Sequence, residues 1–262
     1  MTVQPPISAA NVPVPAHSPI LQSRLAISLA WVAGYTNTIA VLVCGHVVSH
    51  VTGHAGQLGQ AVSEGDWSLA LFVLAVLVAF FLGAVLSGCA TEFARWRGLK
   101  SIYVAPAALE IGLLIAFANL VRLHDPSRLE SGATLWWMVI VASLAMGLQN
   151  ATITRISGGV VRTTHLTGVL TDLGLESVQR SMRRLAQPAR AEAPGAPPSG
   201  GRLLLLSSIL GSFVFGSACG ALGFGRAAHW SMLPPVLLLV WILIVDLRAP
   251  IGEIDARRFE RP

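Results

Sequence analysis

Residues 68–89 read SLALFVLAVLVAFFLGAVLSGC, a run in which the Cys89 thiol is the sole ionisable side chain. A helix needs about 20 predominantly apolar residues to cross the hydrocarbon core of a bilayer. This run has that length and composition. It therefore predicts a transmembrane α-helix.

The chain on either side of this run also has the composition of a membrane protein. Of 262 residues, 53% are hydrophobic and 12% are charged, whereas soluble domains carry about 25% charged residues. So few charges could not cover the surface of a water-soluble protein of this size. Counting the run at 68–89, six segments qualify as spans: 25–48, 68–89, 101–121, 133–154, 203–225 and 229–245. The sixth is short and contains Pro234-Pro235, which predicts a kink or a late helix start.

The Lys and Arg residues predict the orientation of these spans. Three of the 18 (Arg122, Arg128 and Arg226) lie in the third and fifth connections, and the other 15 lie in the second and fourth connections and the two tails. Cytoplasmic connections are enriched in Lys and Arg, so both termini are predicted to be cytoplasmic. The net charge of +5 is spread between apolar runs and forms no aromatic-interleaved basic face, so no nucleic-acid partner is expected.

The two halves of the chain share a pattern of small and polar residues. The pattern G-x2-N-x7-G-x-V-V begins at Gly34 and again at Gly147, and T-G-x4-L-G begins at Thr52 and again at Thr167. A weaker echo joins Phe80-x-x-Gly83 to Phe213-x-x-Gly216. These matches predict an internal duplication. Because each copy has an odd number of spans, the two copies would be inverted, as in many secondary transporters.

The predicted fold is thus an all-α integral membrane protein with six transmembrane helices, arranged as two inverted three-helix repeats. The first repeat covers residues 25–121. The second covers residues 133–248 and includes a cytoplasmic linker, rich in Ala, Pro and Gly, at 181–201. Residues 1–24 are expected to form a disordered cytoplasmic N-terminal tail, and residues 249–262 a cytoplasmic C-terminal tail.

The repeated residues also carry a family resemblance. Gly-Tyr at 34–35 is followed by Thr-Gly at 52–53, and GLQNA at 147–151 is followed by VRTTHLTG at 161–168. These motifs resemble the YoaK family of bacterial membrane proteins, which is catalogued as a domain of unknown function. The resemblance covers roughly residues 22–248. It implies a six-span protein of the bacterial inner membrane and supplies no activity.

The chain departs from that family's pattern in its first motif. Asn37 stands where an Asp is usual, and His54 stands where an Asn usually follows the Thr-Gly pair. If the usual acid binds a cation or a proton in relatives, this chain does so differently or not at all.

Glu110 is the one carboxylate near the middle of a predicted span. An ionisable side chain there costs about 2.5–3.5 kcal/mol on insertion and usually faces a cavity or a partner. Two interpretations stay open: a proton or cation site, or a protonated carboxyl group hydrogen-bonded between helices. The second half has no acid at the equivalent position, so such a site would be asymmetric.

Three histidines recur at every fourth position. His46, His50 and His54 would share one face if the first helix continued that far, and such a face could bind a metal or respond to pH. The Thr52-Gly53 pair favours a break in the helix, and no nearby Cys or carboxylate completes a ligand set. Polar residues at the membrane surface are the alternative, and no metal site is predicted beyond these three candidates.

The Thr-Gly segments give the most specific site prediction. Segment 162–174 and its counterpart 45–59 contain Thr and Gly residues that allow the backbone to leave the helix. Non-helical backbone at membrane depth is tolerated where it lines a water-filled cavity or is buried in protein. An ordinary helix cap is the alternative. The predicted substrate or ion pathway consists of Asn37, Thr52, Gly53, Glu110, Asn150, Thr163, Thr164, Thr167, Gly168 and Asp172.

Three classes of function follow from these features. The first is a small secondary transporter or channel for an unknown small solute or ion, without ATP because no P-loop is present. An intramembrane enzyme would need a nucleophile–base or metal constellation, which the scattered His and Glu110 do not compose, so no enzymatic activity and no cofactor are expected. The alternative to transport is a non-catalytic sensor or partner protein with a His-lined face. Membrane lipid is the expected surroundings, and a homodimer is considered because six-span transporters often dimerise.

Overall fold

The computed structural model describes residues 19–99, 101–125, 127, 129, 131–156, 166–186 and 199–248. Within these ranges the chain is helical and contains no strand. A single turn of 3₁₀ helix, Ala228–Trp230, precedes the last α-helix. The α-helices are α1 (Pro19–Cys44), α2 (Val51–Glu64), α3 (Trp67–Trp96), α4 (Val104–Leu123), α5 (Gly132–Ile156), α6 (Leu166–Ala186), α7 (Ser199–Ala227) and α8 (Leu233–Arg248).

Five stretches of helix in the described ranges are long and apolar enough to cross a membrane. They are Ser23–Cys44, Trp67–Trp96, Val104–Leu123, Gly132–Arg155 and Gly201–Trp230. Each overlaps one of the predicted spans, and together they indicate a multi-pass membrane protein. The sixth predicted span, 229–245, corresponds to α8, which has 16 residues and is shorter than the roughly 20 that a span needs. The late helix start predicted from Pro234-Pro235 is confirmed, since α8 begins at Leu233. Proline fits the first turn of a helix, where its missing amide proton costs no hydrogen bond.

The tails and the linker differ in extent from the sequence predictions. Helix α1 begins at Pro19, so residues 19–24 are helical although they were assigned to the disordered tail; a proline at the first helical position is well suited to start a helix. Residues 1–18 and 249–262 lie outside the described ranges. The predicted linker at 181–201 is helical at both ends, since α6 continues to Ala186 and α7 begins at Ser199.

The chain breaks between α1 and α2. Gly45 follows α1 with a φ of 72°, a left-handed conformation that glycine adopts without steric cost, and α2 begins only at Val51. Helix α2 packs on α3, and Gly65, also at φ 72°, ends it. Asp66 then caps α3 by accepting a hydrogen bond from the Leu69 amide at 3.0 Å.

Helices α1 and α7 form one of the two closest crossings. A Cβ atom added to Gly34 would overlap the carbonyl oxygen of Phe213, and one added to Gly216 would overlap the carbonyl oxygen of Trp31. Each helix therefore presents a glycine to the backbone of the other. Such small residues let membrane helices approach closely and gain dispersion energy.

Helices α3 and α5 form the other close crossing in the same way. A Cβ atom on Gly147 would overlap the carbonyl oxygen of Phe80, and one on Gly83 would overlap that of Leu144. The residues at this crossing correspond to those at the first: the α5 positions lie 113 residues after the α1 positions, and the α7 positions lie 133 residues after the α3 positions. Equivalent residues thus make equivalent contacts.

Candidate functional site

A cavity of about 40 Å³ lies between α1, α4, α5 and α8. Its polar lining residues are Tyr103, Glu110, Thr152 and Asp246, and the rest of its wall consists of Leu25, Leu29, Ala107, Leu239, Ile242 and Leu243. The lining residues lie in or just before the N-terminal halves of α1 and α4, near the C-terminal end of α5 and between Leu239 and Asp246 of α8, so the cavity lies towards one end of the bundle. Its volume accommodates about three water molecules.

Glu110 is the most deeply buried acid in the described part of the chain, with 2% of its surface exposed. Its Oε1 atom is buried and has no hydrogen-bond partner among the described residues. An unsatisfied carboxyl oxygen in an apolar setting is costly, and such groups normally find a partner. One interpretation of Glu110 was a carboxyl group hydrogen-bonded between helices. The described residues provide no such hydrogen bond to Oε1.

Asp246 is a second buried carboxylate at the same cavity, and it is not part of the pathway predicted from the sequence. It is 5% exposed, and the Ser101 hydroxyl donates a hydrogen bond to its Oδ2 at 2.7 Å. It lies one residue beyond the predicted end of the sixth span, in the last turn of α8. A carboxylate near a helix C-terminus interacts unfavourably with the helix dipole. Its position at the end of an apolar run is the feature of the sequence that could have marked Asp246 as a candidate.

A pair of hydroxyl groups joins the cavity to the α3–α5 crossing. Thr152 Oγ1 donates to the Leu148 carbonyl at 2.9 Å and lies 2.8 Å from Ser87 Oγ. Because Thr152 has a single hydroxyl proton, Ser87 is the donor in this pair. Both residues are buried, and the pair fixes the position of Thr152 at the cavity wall.

Asn37 is satisfied by protein contacts. It is 5% exposed, its side-chain amide donates to the Ala33 carbonyl at 2.9 Å, and its Oδ1 accepts a hydrogen bond from Ser49 at 3.0 Å. These bonds hold the connection between α1 and α2 against α1. In the described contacts, Asn37 anchors this connection and does not line the Glu110 cavity.

Asn150 lies at a different depth from Asn37. Gln149, the residue before Asn150, donates to the Leu29 carbonyl of α1 at 3.1 Å, which places this part of α5 beside Leu29. The Asn37 side-chain nitrogen lies 3.9 Å from the Met146 sulfur, so Asn37 lies beside an earlier residue of α5. Leu29 and Asn37 are about 12 Å apart along α1 at the rise of an α-helix. Asn150 Oδ1 is buried without a partner among the described residues, and the structure does not bring the two asparagines together.

The described Thr-Gly residues lie on α2 and α6, and none of them lines the Glu110 cavity. Thr52 is exposed in the first turn of α2, and a Cβ on Gly53 would overlap the His50 ring. Thr163 and Thr164 lie outside the described ranges. Thr167 is exposed and Gly168 half-buried in the first turn of α6.

Asp172 takes part in a contact between helices. Its Oδ2 accepts a hydrogen bond from the Arg202 guanidinium at 3.1 Å, and both side chains are largely exposed. Glu176 lies 3.8 Å from the same guanidinium. The carboxylate of Asp172 therefore ties α6 to α7 and is not part of the Glu110 cavity.

The predicted face of three histidines does not form, because Gly45 ends α1 before His46. His46 and His50 lie in the connection and His54 lies on α2. His54 Nε2 lies 2.6 Å from the Val47 carbonyl oxygen, and the His46 ring packs on Phe72 at 4.8 Å between centroids. Burial, with a smaller contribution from His54, lowers the pKa of His46. Among the described residues no group of three His, Cys, Asp or Glu is arranged to hold a metal ion.

Comparison with known proteins places most of the chain in one family. Residues 25–245 match the family model described as a protein of unknown function, DUF1275. The chain therefore belongs to this family, which confirms the resemblance carried by the motifs at 147–151 and 161–168. No curated protein and no solved structure matches the chain.

Proposed function

We propose that this member of the DUF1275 family is a small transporter or channel-like protein of the bacterial inner membrane, with a solute pathway between two inverted halves. The observation that carries the proposal is Glu110, a buried acid that lines a cavity bounded by α1 and α4 of the first half and by α5 and α8 of the second. An intramembrane acid at an interface between repeats is typical of substrate and ion pathways.

The two glycine crossings support the inverted arrangement. Each crossing joins a helix of one half to a helix of the other, and the contacts use equivalent residues. On this proposal α8 is the sixth span and the counterpart of α4. Helix α8 spans about 24 Å, and the 3₁₀ turn before it adds to this length. The start of α1 and the end of α8 then lie at the same, cytoplasmic, end of the bundle, close to the cavity.

The crossings also suggest how the pathway would open. The α1–α7 pair and the α3–α5 pair are each held by backbone contact at glycine, so each pair would move as a unit. The cavity lies where these pairs meet α4 and α8. Alternating access in transporters with repeats is largely such a rigid-body movement around a fixed site. The alternative was a sensor with a His-lined helical face. Because His46 and His50 lie in the connection between α1 and α2 and not on one helix with His54, we do not propose it.

Transport is tested with the purified full chain in proteoliposomes. We expect flux of a small solute or ion, measured with a panel of solutes and with a pH-sensitive dye. Glu110→Gln should reduce the flux at least about tenfold, as expected when a group that stabilises a moving charge by about 1.4 kcal/mol or more is lost. Asn150→Ala, from the predicted pathway, should reduce it as well.

Glu64→Gln is the matched control, because Glu64 is exposed on α2 and its side chain contacts Gln60. It should leave the flux unchanged. A folded wild-type protein that moves no solute across a broad panel would contradict the proposal, and so would a Glu110→Gln variant with full flux.

A further inference from the structure

We propose that an open pocket between the end of α4 and the start of α8 binds the headgroup of an anionic phospholipid. The pocket has a volume of about 130 Å³ and is lined by the C-terminal half of α4, the 3₁₀ turn and the first residues of α8. The inference goes beyond the proposed function and does not depend on it, because lipid binding can be measured whether or not the chain transports a solute.

Arg122 supplies the positive charge of this pocket. It lies exposed in the last turn of α4, and its guanidinium carbon is 4.4 Å from the centroid of the Trp230 ring, within cation–π range. A stacked guanidinium keeps its N–H donors at its edge, where they fit the paired oxygens of a phosphate. Among the described residues no carboxylate forms an ion pair with Arg122, and the lining contains no Asp or Glu. The pocket therefore favours an anion.

Contacts between helices hold the basic end of the pocket together. His229 Nδ1 lies 2.8 Å from the Arg122 carbonyl oxygen, and because a carbonyl only accepts, Nδ1 carries the proton. This carbonyl belongs to the last turn of α4, where carbonyl groups have no partner within the helix. The bond fixes the 3₁₀ turn against α4, so Arg122 and Trp230 lie side by side in the folded chain before a ligand binds.

The other end of the pocket is apolar. Its apolar lining residues are Ile115, Ala118, Met232, Leu233 and Val236. Ile115 and Arg122 lie two turns apart on one face of α4, about 10 Å along the helix axis. A charge at one end and apolar side chains over the next 10 Å match the polarity of a lipid. Ile115 and Leu233 are exposed, so an acyl chain can lie against them from the bilayer.

The orientation of the spans does not explain Arg122. It is one of the three Lys or Arg residues in the third and fifth connections, on the side predicted to be opposite to the cytoplasm, where the charge rule calls for few cations. Trp230 has the position that indole rings favour, at the boundary between lipid and water. The pair is therefore placed at the level of lipid headgroups.

The charges also favour an anionic lipid over a zwitterionic lipid and over free phosphate. A choline or ethanolamine group would bring a second cation beside Arg122 and would find no acid in the lining. A single exposed ion pair is weak, so free phosphate from solution should bind poorly. A lipid is held at the surface of the bundle at high local concentration, where a weak contact suffices.

The test is thermal unfolding of the purified full chain in a neutral detergent at constant ionic strength. Phosphatidylglycerol, phosphatidylcholine or inorganic phosphate is added in steps. We expect phosphatidylglycerol to raise the melting temperature in a saturable way, because a ligand that binds only the folded state stabilises it. Phosphatidylcholine at the same mole fraction should raise it less, and inorganic phosphate should not raise it.

Arg122→Gln should lower the apparent affinity for phosphatidylglycerol about tenfold, as expected for the loss of hydrogen bonds to a charged group. Its melting temperature without lipid should stay near that of the wild type, because Arg122 is exposed. Arg226→Gln is the matched control. It removes the same charge from the exposed last turn of α7, outside the pocket, and should keep most of the response.

Equal responses to the two lipids would overturn the proposal, and so would a full response in Arg122→Gln. An equal loss in Arg226→Gln would show that net charge alone attracts the lipid. A rise with inorganic phosphate as large as with phosphatidylglycerol would show a site for soluble anions. A melting temperature that rises with protein concentration at constant lipid would assign the pocket to a second copy of the chain.

Arg122→Lys is the test if Arg122→Gln does not fold. Lysine keeps the charge but lacks the planar fork, so phosphatidylglycerol should bind with reduced affinity and still stabilise more than phosphatidylcholine. An unchanged affinity in this variant would count against the guanidinium contact.

Discussion

The glycine crossings and the Glu110 cavity are neighbours in one bundle, yet they are packed in opposite ways. At the crossings, glycines of one helix touch carbonyl groups of the next. At the cavity, mainly apolar side chains line a space of about 40 Å³, and Glu110 Oε1 is buried without a partner among the described residues. Helices in lipid associate mainly through close packing, so a cavity gives up stability. The contrast supports the proposal that the crossings hold the fold and that the cavity belongs to the pathway.

The largest effect should come from adding a side chain at a crossing. In Gly83→Val, the new atoms would overlap the backbone of α5 at Leu144, which has no rotamer by which to move aside. We expect a loss of about 3 kcal/mol or more, since overpacking against rigid structure is at the upper end of such costs. The fraction of monodisperse protein and the melting temperature in detergent measure it.

Gly88 on the same helix provides the control, because a Cβ there would meet no atom within 4 Å. Gly88→Ala should be neutral or slightly stabilising, since alanine favours helix by about 1 kcal/mol over glycine. A Gly83→Val protein as stable as Gly88→Ala would mean that the crossing is not a close contact.

An intermediate effect is expected where the crossing meets the cavity. Ser87→Ala removes the hydroxyl that donates to Thr152 and should cost about 1 kcal/mol. Thr152→Val removes the acceptor, together with its bond to Leu148. A double-mutant cycle should show a coupling of about 0.5 kcal/mol or more between the two residues. If the changes in the free energy of unfolding of the two single mutants add up to that of the double mutant, the hydroxyls do not interact.

The smallest effect should come from adding atoms at the cavity. Ala107 lines the cavity, and Ala107→Val adds two methyl groups where space exists. We expect the free energy of unfolding to change by less than about 1 kcal/mol, because the gain in packing offsets the lower helix propensity of valine. A loss as large as that of Gly83→Val would show that the cavity is not open space and would remove the contrast between the regions.

The apolar helices could be predicted from the sequence because membrane thickness sets their length. The predicted spans 101–121 and 133–154 correspond to α4, Val104–Leu123, and α5, Gly132–Ile156. A break in segment 45–59 was also predicted, but it lies at Gly45, before the predicted end of the first span at 48. Thr52-Gly53, the pair expected to break the helix, lies in the first turn of α2. The pairing of helices across the halves was not predicted, because it depends on contacts between residues more than 60 positions apart.

The candidate site was only partly predictable. Glu110 was selected because a carboxylate inside an apolar run is costly wherever it points. Asp246 was missed because it lies beyond the predicted end of a span, where an acid looks ordinary. Asn37 and Asn150 were expected to share one pathway. If the halves are inverted as proposed, equivalent residues lie on opposite sides of the membrane midplane unless both lie at the midplane.

The α1–α7 crossing has a consequence for how the chain is made. The carbonyl of Trp31 and the glycine at 34 find their partners at Gly216 and Phe213, which the ribosome adds about 180 residues later, or on the order of 10–35 s at common rates of synthesis. During that interval the glycine face of α1 is unoccupied in the bilayer. Insertion factors that shield such a face, or a slower arrival of α7, should then decide the yield of folded protein.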